Sequence, residues 1–405
     1  MTLDSYSLRE GFPGLSRQVA GRQAAYLDAP GGTQVHESVI EAMAGYLRAG
    51  GSNLGGAFAT SELSERVVAE ARSAMADLFG SGDPRTIVFG QNMTSLTFAV
   101  SRALARDWRP GDRIVVTRLD HDANVAPWRL AAAERGAVVD EWDIDPKTTR
   151  LEVERLLPLL GDRTRLLAVT HSSNAFGTVV DLAAAVRAAH EVGALVYVDA
   201  VHFAPHGLLD MTGTGADFMV ASAYKFYGPH IGVLCGRLEH LERLTAYKVR
   251  PAPNEPPDKW ETGTQSFESL AGATAAVDYL ASLGGEGSRR ERLISAMELV
   301  DQHESFLGRR FLSGISRMKG VRLFGVDSME GRVPTFAIDL AGKSPAEVAG
   351  ELGRRGVFVW SGNYYAWEPM HRMGLEERGG LVRIGFVHIN TAEEVDRVLD
   401  ELSSL

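Results

Sequence analysis

The stretch Ala194-Leu-Val-Tyr-Val-Asp199, followed by Ala221-Ser-Ala-Tyr-Lys-Phe-Tyr-Gly-Pro229, decides the reading of this chain. The first run and the residues leading into the second are apolar throughout rather than alternating. That pattern predicts strands covered on both faces. Working outward, the same kind of short run recurs at Thr86–Phe89, Arg113–Thr117, Ala137–Trp142, Leu166–Thr170, Leu195–Asp199, Phe218–Ala221 and Gly232–Cys235. Helical periodicity fills the intervals at Glu37–Ala49, Ser61–Phe79, Thr94–Arg106, Ala126–Arg135 and Leu182–Glu191. The alternation predicts an α/β fold with a mostly parallel sheet, whose ligands collect at the carboxyl ends of the strands.

The pattern breaks at Arg250-Pro-Ala-Pro-Asn-Glu-Pro-Pro257, which reads as an extended connector. Beyond it come a helical run to about residue 310, strands near Val321–Phe324, Pro334–Leu340 and Val357–Val359, and a helix at Pro345–Arg354. A strand Leu381–Phe386 and a helix Ala392–Leu402 close a smaller α+β domain. We expect an N-terminal arm (1–30) joining the small domain, a large domain holding the sheet (31–265), and a linking helix with the small C-terminal domain (266–405), with a cleft between the two domains.

With 405 residues, 45% hydrophobic and 23% charged, the chain has the composition of a folded protein with a sizeable core. A net charge of −10 argues against general nucleic-acid or anionic-membrane binding, and no apolar run is long enough to span a bilayer. The single cysteine, Cys235, excludes an intramolecular disulfide and a cysteine-built metal site, so no metal is expected and a reducing cytoplasm is the expected compartment. Only six of the 42 basic side chains are lysines, at 147, 225, 248, 259, 319 and 343, which narrows the candidates for lysine chemistry.

Taken alone, Asp199 reads equally as a structural cap and Lys225 as a solvated side chain. Together they change the odds, because a carboxylate and a lysine emerging from neighbouring strands can face each other across one ligand. Pyridoxal phosphate (PLP) asks for that pair: a lysine for the imine and an acid to keep the pyridine nitrogen protonated. A phosphate cradle is offered by Phe89-Gly-Gln-Asn-Met-Thr-Ser95, a strand end that opens a helix and that by itself reads as an ordinary helix start. No GxGxxG follows the first strand.

With these residues in place, the chain resembles fold-type I, class V PLP enzymes, the aminotransferase-like superfamily containing cysteine desulfurases and isopenicillin N epimerase. It looks closest to the cysteine desulfurase-like branch. The resemblance runs from about Tyr26 to the C-terminus through Asp28-Ala-Pro-Gly-Gly-Thr-Gln34, Asn92-Met-Thr-Ser-Leu96, Leu119-Asp-His-Asp-Ala-Asn124, Val198-Asp-Ala-Val-His202, Tyr224-Lys-Phe-Tyr-Gly-Pro-His230 and Trp260-Glu-Thr-Gly-Thr264. It implies that Lys225 carries the cofactor, Asp199 pairs with the ring nitrogen and His121 stacks on the ring. Thr94, Ser95, Ser222 and Tyr224 fall at phosphate positions, while Asn174 and His202 lie where the ring hydroxyl is contacted. Thr264 matches a residue reaching the partner subunit's phosphate, which implies a homodimer with shared active sites. Arg383, in Leu381-Val-Arg-Ile-Gly385, matches the arginine that grips a substrate α-carboxylate. For His202 and His206 a second-layer role stands beside this one, and His230 reads either as a cofactor contact or as a turn former.

One departure matters. A cysteine desulfurase needs a mobile-loop cysteine, and the corresponding loop here is Val359-Trp-Ser-Gly-Asn-Tyr-Tyr-Ala-Trp-Glu-Pro369. Tyr365 stands at or next to the cysteine's place, and a phenol does not take up sulfane sulfur. Cys235, inside an apolar strand, reads as a small core residue. The expectation is therefore a PLP-dependent C–S lyase that cleaves an S-substituted cysteine, with Lys225 moving the Cα proton and Tyr364 or Tyr365 protonating the leaving sulfur. Asn363 and Tyr365 are expected to touch the substrate, and the loop aromatics also read simply as the wall of a pocket for a bulky group. Decarboxylative deamination, transamination or epimerisation keeps the cofactor and changes the bond broken. A cofactor-binding scaffold or regulator is the reading from another class.

Overall fold

The computed structural model describes residues 3–405. Its central sheet has seven strands: β1 (Ile87–Gly90), β2 (Arg113–Thr117), β3 (Val138–Trp142), β4 (Thr164–Thr170), β5 (Leu195–Asp199), β6 (Phe218–Ser222) and β7 (Gly232–Gly236). They lie in the order β1-β7-β6-β5-β4-β2-β3. The run from β6 to β3 is parallel, and β7 is antiparallel to both of its neighbours. Alternate residues enter two apolar layers, as the two-residue period of a strand demands: Val196, Val198, Leu167 and Val169 face one way, Tyr197, Leu166, Ala168 and Val220 the other.

The longer helices are α1 (Glu37–Ala49), α2 (Ala59–Phe79), α3 (Met93–Ala105), α4 (Ala126–Arg135), α5 (Leu182–Glu191), α6 (Phe267–Ser282), α7 (Arg289–Ile315), α8 (Pro345–Arg354) and α9 (Ala392–Ser403). α6 packs against α1 and α2, and α3 against α4. The helical run expected up to about residue 310 is two helices. The chain breaks at 283–288, where Gly287 takes φ +123° and Ser288 with Glu291 forms a capping box for α7. The proline-rich segment 250–257 is a succession of turns and bends rather than an extended connector. It leads to Asp258 and Glu261, which meet the buried Arg72 of α2 at 2.9 and 3.0 Å. Glu261 also accepts the Phe89 N–H at 2.8 Å, tying the Trp260-Glu-Thr-Gly motif to β1.

The C-terminal α+β domain is smaller. Its sheet consists of β8 (Val321–Phe324), β9 (Thr335–Leu340), β10 (Trp360–Gly362) and β11 (Leu381–Gly385), in the antiparallel order β8-β9-β11-β10. Its core is built around Phe311, whose ring lies 4.7 Å from Phe336 and 5.4 Å from Phe386. Near the N-terminus, Ala25–Tyr26 pairs in parallel with Val357–Phe358, and the Gly385 N–H donates to Leu27. β10 lies in the stretch 359–369 expected to be loop, because three residues at a sheet edge carry no usable period. No helix among the described residues is long and apolar enough to cross a membrane.

Candidate active site

The parallel strands deliver their carboxyl ends to one edge of the sheet. Thr170 ends β4, Asp199 ends β5, Ser222 ends β6, and Lys225 closes the single helical turn after Ser222. They open into one cavity of about 800 Å³, closed on the far side by Arg383 of β11 and by residues 360–365. The cavity thus unites side chains from positions 30 to 383 of the sequence.

Lys225 donates from Nζ to the Pro30 carbonyl, and its ammonium lies 5.1 Å from the Tyr224 ring centre. Burial, aided by Arg383 and opposed by Asp199, pulls its pKa down to about 7. Asp199 accepts the Val201 N–H at 2.9 Å through Oδ1 and lines the cavity; burial pushes its carboxyl up to about 6, opposed by that hydrogen bond and by Lys225. His121 is fixed by the Ala123 N–H, which donates to its Nδ1 at 3.0 Å, and burial lowers it to about 4, so it stays neutral. The loop beneath is held by Asp120, which accepts from the Thr117 hydroxyl, from Asn124 Nδ2 at 2.7 Å and from the Thr170 N–H at 3.1 Å.

The start of α3 opens on the cavity, but not every residue expected there reaches it. Thr94 and Ser222 line the cavity, and the Met93 N–H donates to Ser222 Oγ at 3.0 Å. A Cβ on Gly232 would collide with the Asn92 backbone, so β7 approaches the start of α3 only because that residue is glycine. Ser95 does not reach the cavity: its N–H and hydroxyl are both spent on Asn92 in the capping box of α3, the work that a Ser at N3 does for a helix. Tyr224 lines the cavity and is braced by the exposed His230, ring against ring at 4.8 Å, which gives His230 a supporting place outside the site. Thr264 lies in a separate surface depression with Asn53 and Tyr247, apart from the cavity.

On the small-domain side Arg383 donates from Nη1 to the Asn174 carbonyl at 2.8 Å, and its guanidinium lies 4.3 Å from the Tyr364 ring centre. Tyr364 donates its hydroxyl to the Leu381 carbonyl and takes φ +56°, so it is a platform for Arg383 and not a free acid, contrary to the expectation from sequence. Tyr365 is 74% exposed at the rim, with φ +58° and its ring 5.5 Å from His121 in a stacked arrangement. Asn363 lines the cavity with Oδ1 accepting the Tyr365 N–H at 3.1 Å, so one end of its amide already serves the turn. His202 faces the cavity and shares a hydrogen bond with Thr335 at 3.0 Å; His206 sits behind it, paired with the buried Glu304 at 2.7 Å.

Sequence reasoning passed over Asp122 and Ser172, both cavity residues, and the Pro30 carbonyl that takes the lysine. Their only signal was adjacency to quoted motifs. The residues fit PLP on a further observation. Ser172 Oγ, Asn174 Oδ1 and Arg383 Nε are buried, belong to residues lining the cavity and have no hydrogen-bond partner in the protein. Such groups call for a polar ligand. With Lys225, Asp199 and the α3 cradle, they supply an amine, a carboxylate and phosphate donors in one chamber.

Comparison with known proteins agrees. The aminotransferase class-V family matches residues 25–398. A probable cysteine desulfurase of Pseudomonas aeruginosa is 31% identical over 96% of this chain and 95% of its own length. Another, from Mycolicibacterium paratuberculosis, is 32% identical over 97% of this chain, which spans only 57% of that longer relative. The crystal structure of the Escherichia coli cysteine desulfurase CsdA superposes with a TM-score of 0.86 at 26% identity, covering 100% of this chain and 98% of the other. With a matching family model, near-full-length relatives and a chamber furnished for its cofactor, the chain belongs to the aminotransferase class-V family and is a PLP-dependent enzyme.

Proposed function

We propose that this enzyme is a C–S lyase that cleaves an S-substituted cysteine into a thiol, pyruvate and ammonia. The observation that carries the reading is the absence of any thiol near the chamber. The only cysteine, Cys235, is fully buried inside β7 with Sγ 3.7 Å from Thr86 Oγ1, and burial raises its pKa to about 11. The loop that faces the cavity presents Asn363, Tyr364 and Tyr365 instead. Relatives bear the name cysteine desulfurase, but a persulfide needs a sulfur acceptor, and this chain offers none within reach.

When bound, PLP supplies an electron sink conjugated to the substrate's Cα. Asp199 faces the cavity as an anion suited to a protonated ring nitrogen, and neutral His121 supplies a stacking face. Arg383 presents its fork to the α-carboxylate, pre-oriented by Asn174 and Tyr364. Lys225, with its pKa near neutrality, takes the Cα proton. The electron pair left at Cα forms the Cα–Cβ double bond as the Cβ–S bond breaks, and the thiolate takes up a proton. The released three-carbon enamine hydrolyses to pyruvate and ammonia. The proton donor to the sulfur in this reading is Tyr365, supported by its place at the rim beside His121.

We place the same division of domains as the sequence suggested, 1–30, 31–265 and 266–405, and a homodimer in which Thr264 serves the partner's site. Its position in a depression apart from its own cavity supports that arrangement.

The test is to mix PLP-loaded protein with S-propylcysteine and assay thiol, pyruvate, alanine and carbon dioxide together. Equimolar thiol and pyruvate is expected. Carbon dioxide with an aldehyde would replace the reading by decarboxylative deamination. In the same assay Cys235→Ala is expected to keep turnover within about twofold while costing about 1 kcal/mol of stability. A folded but inactive variant would restore the persulfide route.

A further inference from the structure

We propose that Asp122 selects substrates whose sulfur-borne substituent carries a cationic nitrogen; this rests on the lyase reading above for the kind of substrate and adds the charge of its outer part. Asp122 opens a short helical turn directly after His121 and lines the cavity. Its backbone N–H donates to the Tyr365 carbonyl at 2.7 Å, which fixes the residue beside the aromatic rim. Its carboxylate accepts no hydrogen bond from any described residue, whereas Asp120, two positions earlier, accepts three.

Asp122 also borders a surface depression lined by Arg118, Arg129, Glu141, Glu368 and His371, and Arg129 there offsets part of the effect of burial on its carboxyl. Arg129 is the basic group nearest in influence, and it is already bonded to Glu368 at 2.9 Å and to Glu141. Arg118, on the same surface depression, is likewise paired with Glu141. The two cations of the chamber itself, Lys225 and Arg383, are assigned to the cofactor and to the α-carboxylate. Burial raises the Asp122 carboxyl above its ordinary value, the direction that an anion short of partners shows.

The rest of the outer chamber is apolar or aromatic: Phe98, Ala126, Pro127, Trp360 and Tyr365. A carboxylate among aromatic and aliphatic walls suits a protonated or quaternary nitrogen on an organic arm, attracted by the anion and by the ring faces. An anionic arm would meet repulsion from Asp122, while the arginines nearest to it are already paired with Glu141 and Glu368.

The experiment uses PLP-loaded enzyme and three cysteine conjugates of similar size: S-(2-aminoethyl), S-propyl and S-(2-carboxyethyl). Binding is read from the change in the cofactor's visible absorbance, and thiol release is measured alongside. Binding of the aminoethyl compound is expected to be about tenfold tighter than that of the propyl compound, and the carboxyethyl compound about tenfold weaker, in line with about one charge contact each. Asp122→Asn should reduce the aminoethyl-to-propyl ratio to within about threefold, while Asp122→Glu should restore the preference. Equal binding of the three compounds by the wild type, or a preference that survives in Asp122→Asn, overturns the proposal. Because absorbance reports binding whichever bond breaks, a charge preference without thiol release would sink the lyase reading and leave the selectivity of Asp122 standing.

Discussion

Lys225→Ala will fold, hold no covalently attached PLP and lose turnover by about 10³-fold or more, the scale of a missing proton-transfer group compounded by a lost attachment point. The lysine stands at the end of a helical turn and not within a strand, so its removal leaves the β6 ladder and the Ala223–Ile231 hydrogen bond untouched. Far-ultraviolet circular dichroism and a thermal melt check the fold, and cofactor absorbance after desalting checks attachment. Lys225→Arg keeps a cation in the chamber without a titratable nucleophile and should be equally inactive. A variant of either kind that turns over near the wild-type rate would remove Lys225 from the chemistry. The pH dependence follows the same residue. Burial and Arg383 hold the amine at about 7, so the neutral, reactive form grows as pH rises through that value. Cofactor uptake by the PLP-free protein should be half-maximal near pH 7 and nearly complete two units above. A midpoint near that of an ordinary lysine would mean that the chamber does not desolvate it.

What the chain disclosed on reading depended on how local the cause was. Most strands of the central sheet are short apolar runs, as burial on both faces demands, whereas the edge strand β3 carries Asp140 and Glu141. Asp199 and Lys225 were visible because chemistry-bearing groups at strand ends stand out against such runs. The failures have long-range causes. The hydroxyl of Tyr364 is spoken for by a carbonyl 17 residues away, which no spacing encodes. Ser95 matched a motif, yet the helix it begins uses both of its polar groups. Asp122 was hidden by its neighbours: beside His121 it read as part of a motif, and only the three-dimensional surroundings show a cavity carboxylate that accepts no hydrogen bond from any described residue.

Arg383→Ala is expected to weaken substrate binding by about 2–4 kcal/mol, or roughly 30- to 1,000-fold in the apparent dissociation constant. The residue sits on the inner strand β11, opposite Ala337 of β9 and Trp360 of β10, so sheet pairing fixes its backbone from both sides. The Asn174 carbonyl and the Tyr364 ring then fix its side chain, leaving the buried Nε without a protein partner. A guanidinium held this way loses little freedom on gripping a carboxylate, which is why its removal should register mainly in binding. Arg383→Lys keeps the charge and loses the planar fork, and should recover only part of the affinity. The substitution also reaches Lys225, whose pKa Arg383 helps to lower: without the guanidinium, the midpoint of cofactor uptake should move to higher pH. Absorbance titration with substrate measures the first effect and a pH series on PLP-free protein the second. An unchanged dissociation constant would take Arg383 out of the carboxylate site, whereas weakened binding with no movement of the midpoint would mean that its charge is not felt at the lysine.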